Sequence, residues 1–169
     1  MQILRATIED VEEILALTRS CARHMISQGI FQWNEHYPSE NVFYKDVSLD
    51  QLWKIVSVGE ILGVIVLTEI EDEEYDGVRW LTHDANNLYI HRLAVHPKHQ
   101  GKGVARALLD FSEAYAKQNN YNSIRLDTFS QNKRNQKIYE QRGYQKLEDI
   151  YFPKQSEHPF HCYEKLIHV

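Results

Sequence analysis

The segment from Leu88 to Ala105 carries the strongest structural signal in the chain and reads LYIHRLAVHPKHQGKGVA. Its first part, Leu88 to Val95, is rich in apolar and β-branched residues, which predicts a strand. Further on, apolar residues recur at helical spacing and predict a helix that begins near Gly103; they are Val104, Leu108, Phe111 and Tyr115. The segment is therefore predicted to form a strand, a glycine-containing loop and a helix.

The loop between this strand and helix has the features of an anion site. The first turn of a helix presents unpaired N–H groups and the positive end of the helix dipole. Gly101 and Gly103 permit left-handed backbone angles and close approach of a ligand, and Lys98 and Lys102 add positive charge. No Asp or Glu occurs from residue 85 to residue 109. This combination indicates a phosphate-binding loop, although glycine pairs also form tight turns that bind nothing.

Two common phosphate-binding motifs are excluded by spacing. A Walker loop requires Gly-x-x-x-x-Gly-Lys-Ser/Thr, which Gly101-Lys102-Gly103-Val104 does not supply. A dinucleotide-binding fingerprint requires Gly-x-Gly-x-x-Gly/Ala directly after the strand. Here Arg106 occupies the last position, and residues 96–100 intervene between the strand and the glycines.

A third pattern fits. Arg92 to Pro97, followed by Gln100-Gly101-Lys102-Gly103-Val104-Ala105, resembles the acetyl-CoA motif Gln/Arg-x-x-Gly-x-Gly/Ala of the GNAT superfamily of N-acetyltransferases. The segment from Asn132 to Tyr144 is similar to its second signature, Asn-x-x-Ala-x-x-x-Tyr-x-x-x-Gly-Phe. Asn135 replaces the usual alanine and Tyr144 the usual phenylalanine. The resemblance covers residues 88 to 145.

The resemblance implies an α/β fold (α+β by some schemes). Its central mixed, mostly antiparallel sheet of six to seven strands is splayed open in the middle and flanked by about four helices. It also implies acetyl-CoA as co-substrate, with the pantetheine arm paired to backbone groups of Leu93 and Val95 and the pyrophosphate bound by the glycine loop. The residues implied in cofactor binding are Leu93, Ala94, Val95, Gln100, Gly101, Lys102, Gly103, Val104, Ala105, Asn132, Asn135 and Tyr139.

Acetyl transfer to an amine requires a proton acceptor for the amine and a proton donor for the departing thiolate. Tyr139 matches the tyrosine that the family uses as donor, and the alternative is a packing tyrosine. His91 is the candidate base, because an imidazole titrates near neutrality and the arylalkylamine branch of the superfamily places a base histidine here. A histidine of the sheet face without a role is equally compatible. Asp127, on the next strand, is another candidate base. Tyr89 lies on the same strand and the same face as His91 and is a further candidate for the site.

The acceptor site is predicted from aromatic and acidic residues. Trp33 and Tyr37 lie in the loop after the first helix and could stack on a cation or a flat apolar group. Alternatively, this loop closes the edge of the core. Together with Tyr89 and Asp127 they are the predicted substrate-binding residues. The acidic run from Glu69 to Asp76 either attracts a cationic amine or is a solvated loop.

The remaining elements are predicted from periodicity and turn signals. They are strands at 2–6, 52–58, 61–68, 123–129, 144–152 and 160–167, a minor strand at 78–81, and helices at 11–25, 41–47 and 132–141. The hydrophobic fraction of 43% and the length of 169 residues fit a single domain spanning residues 1–169. Cys21 and Cys162 form no metal-type pair, and we expect both to be free and partly buried.

The expected function is transfer of an acetyl group from acetyl-CoA to a primary amine of a small molecule or a protein, by direct attack in a ternary complex. The alternative is a CoA-binding sensor without turnover. The net charge of −5 argues against nucleic acid as a partner. We expect no metal, no membrane partner and a cytoplasmic location, and nothing in the sequence decides between a monomer and a homodimer.

Overall fold

The computed structural model describes residues 1–83 and 85–167. Within these residues the strands are β1 (Gln2–Arg5), β2 (Leu52–Ser57), β3 (Glu60–Thr68), β4 (Asn87–Val95), β5 (Ser123–Phe129), β6 (Gln145–Ile150) and β7 (Phe160–Leu166). The α-helices are α1 (Val11–Ser27), α2 (Glu40–Ser48), α3 (Val104–Gln118) and α4 (Lys133–Gln141). The strands form a seven-stranded sheet in the order β1-β2-β3-β4-β5-β7-β6.

The pairing of the strands confirms the predicted fold class. β1 with β2, β2 with β3, β5 with β7 and β6 with β7 are antiparallel, whereas β4 and β5 are parallel. The parallel register joins Asn87, Leu88 and Tyr89 to Ser123, Ile124 and Arg125. This register covers the first three residues of β4, which continues to Val95.

The minor strand predicted at residues 78–81 was wrong, because the structure assigns no strand to these residues. Their backbone N–H groups are satisfied in other ways. The N–H groups of Val78 and Trp80 donate to the carbonyls of Tyr75 and Val78. The N–H of Leu81 donates to the Glu164 carboxylate at 2.5 Å. Local turns and a buried side chain therefore replace the strand partner that the apolar pattern suggested.

The chain divides into two compact units, and the first comprises Met1–Leu67 and His91–Ser112. Its core is formed by one face of α1 together with residues of α2, β2 and β3. The fully buried members include Val11, Ile14, Phe43, Val64 and Val66. Gly63 permits close packing here, since a Cβ at this position would lie 2.8 Å from the carbonyl oxygen of Ala94.

The second unit comprises Thr68–Ile90 and the described residues from Glu113 onward. Its buried residues include aromatic rings, of which those of Phe129 and Phe160 lie 5.1 Å apart between centroids. The unit also contains a buried ion pair in which the Nε of Arg125 is 3.1 Å from Glu164, with both side chains fully buried. The single domain expected from the length stays a prediction.

The two cysteines are free and both are buried. The thiol of Cys21 donates to the carbonyl oxygen of Val95 at 3.2 Å, and burial raises its pKa to about 12. Burial also raises the pKa of Cys162. Neither thiol is therefore an accessible nucleophile at neutral pH. Among the described residues, no helix combines the length and the apolar character needed to cross a bilayer.

Candidate functional site

The loop between β4 and α3 is built by a short 3₁₀ turn, Pro97–His99, which the strand enters through His96. The Nδ1 atom of His96 accepts a hydrogen bond from the N–H of Lys98 at 3.1 Å. The carbonyl of His96 accepts one from the N–H of His99 at 2.8 Å. These two bonds fix the turn, so that the backbone after it is held in place before any ligand binds.

The two predicted glycines have the geometry of a ligand cradle. Gly101 and Gly103 have φ values of +78° and +82°, which favour glycine. A Cβ built on either glycine meets no atom within 4 Å, so the space beside this backbone is open. Because α3 begins at Val104, the N–H groups of its first turn lack acceptors within the helix. Open space, unpaired donors and the exposed lysines Lys98 and Lys102 together fit a phosphate group.

β4 has an unusual backbone angle just before the predicted pantetheine-binding residues. Arg92 has a φ of +48°, which is rare for a residue with a side chain. Its guanidinium donates to both carboxylate oxygens of Asp46 on α2, at 2.8 and 2.7 Å. Asp46 is 2% exposed and also accepts from Gln51 at 2.9 Å. Although burial opposes it, this carboxylate raises the pKa of Arg92.

The ion pair between Asp46 and Arg92 therefore stabilises the positive φ of Arg92. Leu93, Ala94 and Val95 follow Arg92 directly along β4. Sequence reasoning missed this pair. The signal in the sequence was a charged arginine within a strand, which by itself identifies no partner.

Tyr139 lies on α4 with its side chain 4% exposed. Its ring packs edge-on against Tyr144, with centroids 5.7 Å apart. Burial raises the pKa of Tyr139, and the Asp127 carboxylate raises it further. The phenol therefore stays protonated at neutral pH and can act as a donor.

Asn132 caps α4, since its Oδ1 accepts from the N–H of Asn135 at 3.2 Å. The side chain of Asn132 is 7% exposed. The structure thus gives the two predicted cofactor-binding asparagines a local role at the start of the helix that carries Tyr139. Their contact with a cofactor stays a prediction.

Two predicted site residues on β4, His91 and Tyr89, differ in their surroundings. His91 is half-buried on β4, and its role as base stays a prediction. Tyr89 is buried; its hydroxyl donates to Glu71 at 3.0 Å and accepts from Arg125 at 3.0 Å. Burial raises the pKa of Tyr89 to about 12, against the lowering effect of Arg125. Tyr89 is therefore held within a hydrogen-bonded network of the second unit.

The two predicted acceptor-binding residues of the first unit, Trp33 and Tyr37, differ in how deeply their side chains are buried. Trp33 is 7% exposed and belongs to the core around α1, which is the alternative that the sequence left open. Tyr37 is half-buried, and its hydroxyl accepts a hydrogen bond from Arg92 at 3.4 Å. Of the two, Tyr37 has the more accessible side chain for an acceptor.

The acidic run from Glu69 to Asp76 is more than a solvated loop, because hydrogen bonds between tyrosine hydroxyls and carboxylates connect it to the rest of the second unit. Tyr121 donates to Glu69 at 2.6 Å, and Tyr89 donates to Glu71. Tyr75, within the run, is fully buried and donates to Asp127 of β5 at 2.5 Å. Sequence reasoning did not identify these bonds, although the tyrosine inside an acidic run was the one available signal.

Comparison with known proteins places this geometry in a family. The acetyltransferase (GNAT) family matches residues 8–144 of the chain. No curated protein matches the sequence. The chain is similar to the structure of a Staphylococcus aureus Mu50 protein assigned as an acetyltransferase, with 25% identity, a TM-score of 0.77 and 99% of each chain covered.

Two further structures share the fold. One is a GNAT-family acetyltransferase from Streptococcus agalactiae 2603, with 22% identity, a TM-score of 0.82 and coverage of 98% of this chain and 94% of that chain. The other is yncA from Salmonella typhimurium, with 16% identity, a TM-score of 0.68 and coverage of 98% and 93%. That structure contains acetyl-CoA. Because the family match extends over most of its length, the chain belongs to the acetyltransferase (GNAT) family.

Proposed function

We propose that this chain transfers the acetyl group of acetyl-CoA to a primary amine of a small molecule or a protein, by direct attack of the amine in a ternary complex. The observation that carries the proposal is the open, glycine-lined loop before α3. Gly101 and Gly103 have positive φ values and leave room beside the backbone for a phosphate group. The acetyl-CoA in the similar Salmonella structure supports the same ligand.

The proposal assigns the binding of the pyrophosphate to the backbone of Gln100 to Ala105. N–H groups at a helix start have no acceptor within the helix and bind an anion with little reorganisation. Lys98 and Lys102, whose side chains are exposed, add positive charge to the loop. Leu93 and Val95, which follow Arg92 on β4, are the proposed backbone partners of the pantetheine arm. Bound acetyl-CoA supplies the acetyl group as a thioester.

Two side chains are proposed for proton transfer. Tyr139 keeps its proton at neutral pH because burial raises its pKa, so it can donate to the departing sulfur. His91 is the proposed base, and its imidazole is half-buried on β4. Asp127 is the alternative base. The proposed location in the cytoplasm and the absence of a metal requirement rest on the sequence alone.

The test is a thiol-release assay with acetyl-CoA and a panel of amines. We expect release of free CoA that depends on the added amine. Tight binding of CoA without release by any amine would contradict the proposal and favour a CoA sensor.

A matched pair of variants tests the loop. Gly59 also has a positive φ, +74°, and an open Cβ direction, but it lies in the turn between β2 and β3. We expect Gly101→Ala to weaken CoA binding in calorimetry and Gly59→Ala to leave it unchanged, although both impose similar backbone strain. Equal CoA affinities of the two variants would contradict the assignment of the loop to CoA binding.

A further inference from the structure

Arg92 has a left-handed backbone inside a strand. Its φ is +48°, and it lies within β4. Among the residues that the structure describes, the others with a side chain and a positive φ lie in turns or bends; they are Asp50, Val58, Asn86 and Asn120. A turn provides such an angle through its local geometry, whereas an extended strand does not. Arg92 therefore requires an interaction elsewhere in the fold that maintains this angle.

The ion pair with Asp46 has the geometry to maintain it. The Nε and Nη2 atoms of Arg92 donate to the two carboxylate oxygens of Asp46 at 2.8 and 2.7 Å, and such a bidentate pair fixes the plane of the guanidinium. The side chains of Arg92 and Asp46 are 16% and 2% exposed. On further sides, Asp46 accepts from Gln51 and the guanidinium donates to the hydroxyl of Tyr37. Both charged groups are therefore held in one orientation.

The other end of this part of β4 is fixed by different contacts. The N–H of His96 donates to the carbonyl oxygen of Leu62 on β3 at 2.9 Å. The carbonyl oxygen of Val95 accepts from the thiol of Cys21 on α1 at 3.2 Å. The backbone between Arg92 and His96 is thus anchored after Val95 by α1 and β3, and before it by the angle at Arg92. A change of that angle would turn the peptide groups in between.

We propose that Asp46 is a positioning residue for the cofactor: through Arg92 it maintains the backbone direction that presents Leu93 and Val95 to the pantetheine arm. A buried ion pair contributes little net stability compared with apolar residues of the same volume, so stability alone does not account for it. Asp46 is buried and acts on the ligand only through Arg92. The inference rests on the proposed function, which assigns Leu93 and Val95 to the cofactor.

Three variants, with CoA as the ligand in calorimetry, test the inference. Asp46→Asn should weaken CoA binding about tenfold, because an amide bonds the guanidinium less strongly than a carboxylate does. The double variant Asp46→Asn/Arg92→Gly should recover an affinity within about threefold of the wild type, since glycine adopts a positive φ without an ion pair. Asp46→Asn/Arg92→Val should bind CoA about 5- to 30-fold more weakly than the glycine variant, because valine disfavours a left-handed backbone.

The two double variants have the same charge and lack the same ion pair, so they differ in the backbone preference at position 92. A merely structural role of the ion pair would weaken CoA binding equally in both. Equal CoA affinities of the two would therefore overturn the inference. Wild-type affinity in Asp46→Asn would overturn it as well.

Asp10→Asn controls for loss of stability in the same unit. Asp10 pairs with Lys54 at 2.8 Å, and their side chains are 15% and 17% exposed. This variant should lower the Tm and leave CoA affinity within about twofold of the wild type. A loss of CoA affinity equal to that of Asp46→Asn would assign the effect to stability and overturn the inference.

A second pair of substitutions keeps the test available if the valine variant does not fold. In the Asp46→Asn background, Arg92→Asn and Arg92→Gln both introduce a neutral amide. Asparagine adopts a left-handed backbone more readily than glutamine does. The asparagine variant should therefore bind CoA more tightly, and equal affinities would overturn the inference.

The failure of the inference is distinguishable from the failure of the proposed function. If the wild type binds CoA but no amine releases it from acetyl-CoA, the transferase proposal fails, and the calorimetric comparison of glycine with valine still decides on Asp46. A wild type that does not bind CoA would overturn the cofactor site and the inference together.

Discussion

The anion loop, residues 96–106, and the tyrosine–carboxylate cluster are built by opposite means. The cluster consists of Tyr75, Tyr89 and Tyr121 with their acidic partners Asp127, Glu71 and Glu69. The loop presents backbone N–H groups, with glycines that leave space beside them. The cluster presents carboxylates oriented by buried phenols. A site made of backbone depends on local conformation, whereas a site made of side chains depends on distant pairings.

The largest effect is expected for Tyr139, a buried residue of the second unit, which also contains the cluster. Tyr139→Phe should lower kcat about 100-fold or more, the usual scale for loss of a general acid, with little change in affinity for acetyl-CoA. Tyr144→Phe is the matched control, because Tyr144 is also buried and its ring contacts that of Tyr139. An unchanged kcat in Tyr139→Phe would remove this residue from catalysis.

The cluster unit should also be sensitive to its buried ion pair. Glu164→Gln removes a buried carboxylate that pairs with the fully buried Arg125 and should lower the free energy of unfolding by about 3 kcal/mol. The exposed pair Arg79–Glu148 is the comparison, since its side chains are 93% and 44% exposed. Glu148→Gln should cost less than about 1 kcal/mol. Urea unfolding measures the free energy of unfolding of both variants. Equal losses would contradict the argument that the buried pair contributes more to stability than the exposed pair.

The loop should respond to changes of backbone instead. Gly103→Ala should weaken CoA binding about tenfold, because a methyl group enters the space beside the N–H groups and the positive φ becomes unfavourable. Gly143→Ala imposes a positive φ of similar size, +89°, outside the loop. Calorimetry should show unchanged CoA binding in that control. If Gly143→Ala weakens binding equally, the loop has no special role.

The smallest effect is a pH dependence of the loop. Burial, together with the nearby His99 and Lys98, lowers the pKa of His96 below its ordinary value of 6.5. The folded state therefore binds fewer protons than the unfolded state in the window between the lowered pKa and 6.5. Stability should thus fall as the pH decreases through that window.

His96→Asn is the variant that tests this dependence, since asparagine does not titrate and can still accept a hydrogen bond from Lys98. The Tm of the wild type should fall more than that of the variant between pH 7.5 and pH 5. Parallel decreases in the two proteins would exclude His96 as the cause.

The contrast between the two regions explains what the sequence could predict. The strand, the loop and the start of α3 were predictable because glycine spacing and helical periodicity act locally. The strand Ser123–Phe129 and the hairpin turn before Glu60 were predictable for the same reason. The seven-stranded sheet and four helices followed from the family resemblance that these local motifs carried.

The side-chain networks were not predictable, because their partners lie far apart. Tyr75 and Asp127 are separated by 52 positions, and Arg92 and Asp46 by 46. No periodicity relates such residues, so the sequence gives the candidates without the pairs. Trp33 shows the same limit: an aromatic residue in a loop has the same pattern whether it faces a ligand or, as here, the core.

The central claim is acetyl transfer to an amine, and one measurement tests it most directly. The wild-type protein is incubated with acetyl-CoA and each amine of the panel, and free CoA and the acetylated amine are quantified in the same sample. We predict equal amounts of the two products, formed only when all three components are present. Free CoA without any acetylated amine, or neither product with every amine of the panel although CoA binds, would contradict the account.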